Sequence, residues 1–278
     1  TESMSLRLAE GDVGRYGRMR VWGSVGFIVA VAGFGPLLDI AGVGLVPYLL
    51  AATSIALLLA TRRLPAATEL PARAAGARLR DELLQPALLA FLAAALLTIV
   101  AHAPFYAFFS LYLEGLGYSR TAIGLLWALG VVAEIVLFLC QKRFFDRFPA
   151  TGLLAATLAL CVLRFLMTAE AAGMGPVAAT LTLAAAQVLH AATFALNHSA
   201  SMAVLYQRFG TRHQARAQSL YTAVAYGVGG ALGAVGAGII WQTWGAAATF
   251  RAAAVAAALG WLAALALHRW AGRAEEGT

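Results

Sequence analysis

Charge is scarce in this 278-residue sequence: only 12% of its residues are Asp, Glu, Lys or Arg, about half the share found in water-soluble domains. Lysine is scarcer still, since Lys142 stands beside nineteen arginines. Together with the abundance of Ala, that skew reads as genomic composition bias rather than function. The two cysteines, Cys140 and Cys161, lie inside apolar stretches without metal-like spacing, so neither a disulfide framework nor a metal site has support and no cofactor is expected. They read as small core hydrophobes. No basic segment with a short apolar run and a cleavage site precedes the first long apolar stretch, so no signal peptide is read. The chain opens on Thr1, and the expectation is a fragment of a longer protein.

What the sequence does have is apolar length. Hydrophobic residues make up 61% and the mean hydropathy is +0.78, which makes a lipid bilayer the expected surroundings. Eight stretches are long enough to cross a hydrocarbon core of about 30 Å: 21–40, 43–61, 86–112, 121–140, 150–169, 176–202, 217–241 and 246–267. The expected fold class is an all-α integral membrane bundle with eight transmembrane helices. Connections are short except for 62–85, rich in Arg, Ala and Pro, which reads as a linker between two helical groups. The domain reading is an N-terminal cytoplasmic segment 1–20, two helices in 21–61, a cytoplasmic linker 62–85, six helices in 86–268 and a cytoplasmic tail 269–278.

The formal net charge of +7 would suggest nucleic acid for a soluble protein. Here the bases sit at the ends of apolar runs and report topology, with no nucleic-acid partner expected. With the N-terminus inside, the cytoplasmic segments hold Arg7, Arg15, Arg18 and Arg20; Arg62, Arg63, Arg73, Arg78 and Arg80; Lys142, Arg143 and Arg147; Arg208, Arg212 and Arg216; and Arg269 and Arg273. Arg120 and Arg251 fall outside, and Arg164 lies within a span. A wrong span count would scramble this asymmetry.

An ionisable group near the bilayer centre costs about 2.5 to 3.5 kcal/mol on insertion scales, so each needs a partner or a role. Four stand out: His102, Glu134, Arg164 and His190. Measured from span midpoints, Glu134 and His190 fall roughly 5 Å to the inside and Arg164 and His102 roughly 6 Å to the outside, within reach of one cavity. On an ideal helical wheel Gln187, Thr193 and Asn197 share the face of His190, and Thr98, Tyr106 and Phe109 that of His102, a mixed face suited to a planar organic ligand. Blander readings compete. Glu134 and Arg164 can form a static ion pair that sets helix registry, each histidine can satisfy a neighbouring backbone or amide, and His198 reads as interfacial. Phe105, Phe108, Trp127 and Trp241 read as packing or interface anchors. Gly229, Gly233 and Ala237, with Gly230 and Ala234 beside them, mark a close helix crossing.

Three blocks in order, YGRMRVWGSVGF (16–27), FFSLYLEGLGYSRTAIGLLWALGVVAEI (108–135) and VLHAATFALNHSASM (188–202), resemble the phenylpropionate permease group of the major facilitator superfamily. The loop KRFFDRF (142–148) resembles that superfamily's inner-loop pattern through Asp146 and Arg147, without its flanking glycine and final basic pair. Major facilitator halves are parallel six-helix repeats, so the eight spans correspond to the fifth to twelfth, with four expected ahead of them. The resemblance implies proton-coupled uptake across a bacterial inner membrane, and kinship with lactose permease-like symporters. In those, an acid, an Arg and a His on the eighth, ninth and tenth helices serve substrate and proton, and Glu134, Arg164 and His190 occupy corresponding helices. The carboxylate found one turn beyond the His in lactose permease has no counterpart here, where Thr193 and Phe194 stand. Its proton path therefore does not carry across.

The functional expectation is a proton-linked permease for a small organic solute such as an aromatic carboxylate. Arg164, His102, Tyr106, Asn197 and Gln187 would contact the solute, and Glu134 and His190 would exchange the proton. A membrane-embedded enzyme with His102, His190 and His198 as ligands is the alternative from another class, but H-E-x-x-H spacing is lacking. A third reading is a non-transporting fragment, because alternating access needs both halves.

Overall fold

The computed structural model describes residues 13–62 and 85–276, and every regular element among them is helical. Arg7 and the linker bases Arg63, Arg73, Arg78 and Arg80 lie outside the described residues. The chain divides into two compact units, one made of Val25–Leu83 and the other of the remaining residues.

The smaller unit holds the later part of α1 (Val13–Ala41), a 3₁₀ turn at Val43–Leu45, and α2 (Val46–Thr61). Pro47 falls in the first turn of α2, where a missing N–H leaves no helical hydrogen bond unmade. The sixteen residues of α2 span about 24 Å. Tyr48, Leu50, Leu57 and Leu59 are all exposed on it. Apolar side chains facing outward along a helix fit lipid rather than water as the solvent.

The larger unit contains α3 (Pro86–Gly115), α4 (Arg120–Cys140), a short α5 (Lys142–Phe145), α6 (Ala150–Glu170) and α7 (Pro176–His190). A π-helical segment, Ala191–Leu196, joins α7 to α8 (Asn197–Tyr221), and a second, Thr222–Gly229, leads into α9 (Gly230–Glu276). Their ends follow local chemistry. Pro86 and Pro176 open α3 and α7 in the first turn. Ser119 caps α4 by accepting from the Ala122 N–H at 3.2 Å. The end of α3 is a Schellman motif: Tyr118 N–H donates to Leu113 O and Gly117 N–H to Glu114 O, with Gly117 at φ 85° as the left-handed residue.

Among the described residues, five segments are long and apolar enough to cross a membrane: Pro86–Gly115, Thr121–Cys140, Ala150–Gly173, Pro176–Gly210 and Arg216–Ala271. The last has 56 residues, about 84 Å of helix, more than twice the hydrocarbon thickness. It does not run straight, because Gly245 sits at φ 81°, a conformation a continuous α-helix forbids. That break falls between the sequence-predicted spans 217–241 and 246–267.

α9 packs along α3 and α6, while α4 packs against α7 and the π segment after it. Lipid tails are as apolar as Leu, so packing density rather than hydrophobicity holds such helices together. Gly233 shows it directly: a Cβ there would lie 2.7 Å from Ala103 Cβ and 2.9 Å from Val100 Cα. At Gly229 it would lie 2.8 Å from Leu96 O. The expected close crossing is thus that of the second π segment and the start of α9 on α3. The core beside it contains Phe105, Phe109, Leu113, Cys161, Phe165 and Leu183. Buried threonines return their hydroxyls to their own helices, as Thr98 does to Ala94 O and Thr168 to Arg164 O, which spares the bilayer interior an unmet donor.

Candidate functional site

Four helices and one π segment bring the expected ionisable residues together. α3 supplies His102, Phe105 and Tyr106; α4 supplies Trp127 and Glu134; α6 supplies Arg164 and Phe165; α7 ends on His190, and the π segment adds Phe194. His102, Glu134, Arg164 and His190 are all buried, Arg164 to 1% exposure, which makes it one of the largest fully enclosed side chains in the protein.

Glu134 Oε1 lies 3.0 Å from His190 Nε2. α4 packs closely on α7 here, since a Cβ at Gly130, one turn before Glu134, would lie 3.6 Å from both Gln187 O and His190 Cδ2. The acid thus meets the imidazole at hydrogen-bond distance, a contact that the static Glu134–Arg164 reading of the sequence did not include. Arg164 donates Nε–H to the Ala186 carbonyl at 3.2 Å. Its Cζ sits 4.1 Å from the Phe105 ring centroid and 4.9 Å from that of Phe165, close enough for cation–π attraction strengthened by exclusion of water. Arg164 Nη1 and His190 Nδ1 are buried with no hydrogen-bond partner, as is His102 Nε2.

Aromatic rings tie these groups into one cluster. Phe105 lies 4.9 Å from His190 and 4.6 Å from Trp127, and Phe194 stacks on His190 at 5.4 Å and 17°. His102 lies 5.4 Å from Phe165 and 6.0 Å from His190. Tyr106, half exposed, lies 6.4 Å from His102, His190 and Trp127 alike. The cluster can hold an anion at Arg164, stack a planar group on the rings and shuttle a proton within the Glu134–His190 pair.

Two of the expected solute contacts also carry hydrogen bonds between helices. Gln187 donates its amide to Leu126 O of α4 at 3.0 Å, and Asn197 donates to Thr157 Oγ1 of α6 at 2.9 Å, so both amides pin neighbouring helices. Between His190 and Asn197 the chain is π-helical over Ala191–Leu196. An i→i+5 turn rotates less per residue than the 100° of the wheel, and six such residues re-phase everything beyond them. Sequence reasoning assigned Phe105 and Trp127 to packing and gave no role to Phe165 or Phe194. Adjacency was the available signal: Phe165 follows Arg164, and Phe194 is four residues past His190.

A helical chain with long apolar segments and an acid, a guanidinium and two imidazoles buried among aromatic rings has the make-up of a polytopic membrane protein. The profile of the MFS_1 like family matches residues 1–252, and the chain belongs to that major facilitator family. It is 34% identical over 234 residues to the "Probable 3-phenylpropionic acid transporter" of Escherichia coli (strain K12), across 82% of this chain and 59% of that protein. It is 28% identical over 250 residues to the "Maltose permease" of Geobacillus stearothermophilus, across 88% of this chain and 61% of that one. The chain thus spans about three-fifths of the length of each relative. Both are named for transport rather than catalysis.

Proposed function

We propose that this chain forms part of a proton-coupled secondary transporter for a small organic anion such as an aromatic carboxylate. The observation that carries the reading is the Glu134–His190 pair at 3.0 Å beside Arg164, which shares the Phe105 ring with His190. Its logic is a charge count. With one proton on the pair, carboxylate and imidazolium cancel and Arg164 leaves a net charge of +1, which favours anion entry. With the pair deprotonated, Glu134 offsets Arg164 and the site is neutral, which favours release. Proton and anion then bind together, the linkage that symport requires.

The same reading places eight spans in two groups, two and then six, with the break at Gly245 separating the last two. It puts the N-terminus, the 62–85 linker and the C-terminal tail in the cytoplasm. The relative named for maltose suggests a sugar. An Arg164 whose hydrogen bond goes to a neutral carbonyl favours an anion instead, because a buried cation gains most from an anionic partner.

The test is reconstitution of the full-length protein in liposomes with radiolabelled 3-phenylpropionate and an imposed pH gradient. Gradient-driven accumulation is expected, and Glu134→Gln should reduce it about tenfold or more while exchange between equal pools on both sides persists. Unaltered gradient dependence in Glu134→Gln would remove the coupling role.

A further inference from the structure

Of the four buried ionisable residues, His102 is the one that neither the proton exchange nor the anion contact uses. It sits on α3 one turn before Tyr106 and is 1% exposed. Its Nδ1 lies 2.8 Å from the carbonyl oxygen of Thr98, on its own helix. A carbonyl can only accept, so the proton of that bond belongs to Nδ1. In the neutral imidazole Nε2 is then a bare lone pair, an acceptor and not a donor.

Ring geometry fixes where that acceptor points. Nδ1 adjoins the carbon that carries the side chain and Nε2 lies on the far edge, so tying Nδ1 back to α3 turns Nε2 away from it. The rings on other elements in that neighbourhood are Phe165 at 5.4 Å, His190 at 6.0 Å and Phe194 at 6.5 Å. The two phenylalanines have no donor, and Nε2 is buried without a hydrogen-bond partner. A histidine in such surroundings loses the hydration of one nitrogen for nothing unless something else donates to it.

The acceptor is not isolated from the other unmatched atoms. Phe165 neighbours both residues, its ring centroid 5.4 Å from that of His102 and 4.9 Å from Arg164 Cζ, and each of them carries a partnerless buried nitrogen, Nε2 and Nη1. Arg164 offers a cationic donor and His102 a neutral acceptor, with the Phe165 ring next to both. A ligand that satisfies both has an anionic group at one place, a hydrogen-bond donor at another and a flat apolar body joining them.

We infer that the site takes a hydroxylated aromatic acid, and that His102 Nε2 accepts the hydrogen bond of its hydroxyl group. The inference rests on the transport reading above and deepens it. Sites built to hydrogen-bond a substrate hydroxyl discriminate strongly against the analogue without one, because the buried acceptor is then left unmet.

The test is calorimetric binding to the full-length protein in lipid nanodiscs. The probes are 3-phenylpropionate, its three ring-hydroxylated isomers and the corresponding three methoxy compounds, which keep the oxygen but lose the donor. One hydroxylated isomer is expected to bind about tenfold or more tightly than 3-phenylpropionate, with its methoxy counterpart showing no such gain. His102→Phe should abolish that ratio. Equal affinity of hydroxylated and parent acids would overturn this inference and leave the transport reading standing. A hydroxyl preference that survives His102→Phe would overturn the role of His102. Failure of every acid to bind would overturn the aromatic-carboxylate reading and this inference with it.

Discussion

At the scale of the residue, Arg164 carries the strongest demand. It is enclosed, stacked over Phe105 and tied by Nε–H to Ala186 O, an arrangement that uses the planarity of guanidinium as much as its charge. Arg164→Lys keeps the charge and loses both the stacking and the fixed fork. We expect the half-saturating concentration for uptake to rise about tenfold, the order of one charge-assisted hydrogen bond, measured from the concentration dependence of initial rates in proteoliposomes. The ionisable residues were legible in the sequence because a lone charge in an apolar run is conspicuous. Their partners were not. Glu134 could have met Arg164 or His190, and the choice depends on how α4 turns toward α7, which spacing along one strand of sequence does not encode.

At the scale of the element, close packing and helix breaks make separable predictions. Gly233→Ala would place a Cβ against Ala103 and Val100, and overpacking of this kind costs about 1–3 kcal/mol. Gly236→Ala, whose Cβ would meet nothing within 4 Å, removes a weak helix former and should be neutral or slightly stabilising. Thermal unfolding in detergent should therefore show a lower Tm for the first and not the second. Gly245→Ala tests the break in α9: an L-residue at φ 81° costs roughly 1–2 kcal/mol, so its Tm should also fall. The small-residue step was readable from spacing alone. The π segment at Ala191–Leu196, between His190 and Asn197, was not. Periodicity arguments assume a constant 100° per residue and fail wherever the hydrogen-bond ladder changes its register.

At the scale of the molecule, the exposed apolar side chains and long helices define a multi-pass membrane protein, and the positive-inside pattern adds an orientation that can be tested. In a background lacking Cys140 and Cys161, Met174→Cys, in the connection between α6 and α7, should react with a membrane-impermeant thiol reagent added to intact cells. Phe148→Cys, after α5, should react only once the membrane is permeabilised. Both native side chains are exposed, so reactivity reports sidedness. The reverse pattern would invert the proposed topology. The transport proposed above calls for two halves around one site, and this chain spans about three-fifths of the length of its relatives.

The sequence by itself determined the solvent, the helical class, the order of the apolar segments and the identity of the buried ionisable groups, because hydrophobicity, Pro and Gly punctuation and flanking charge are local properties. Tertiary structure decided that Glu134 pairs with His190, that Arg164 rests on Phe105, and that Gln187 and Asn197 hold helices together. It also decided that His102 turns an unmet acceptor toward its neighbours. Each of these depends on the rotation of one helix against another, and a π turn or a glycine contact can change that rotation without altering the hydrophobic pattern that placed the helices in the membrane.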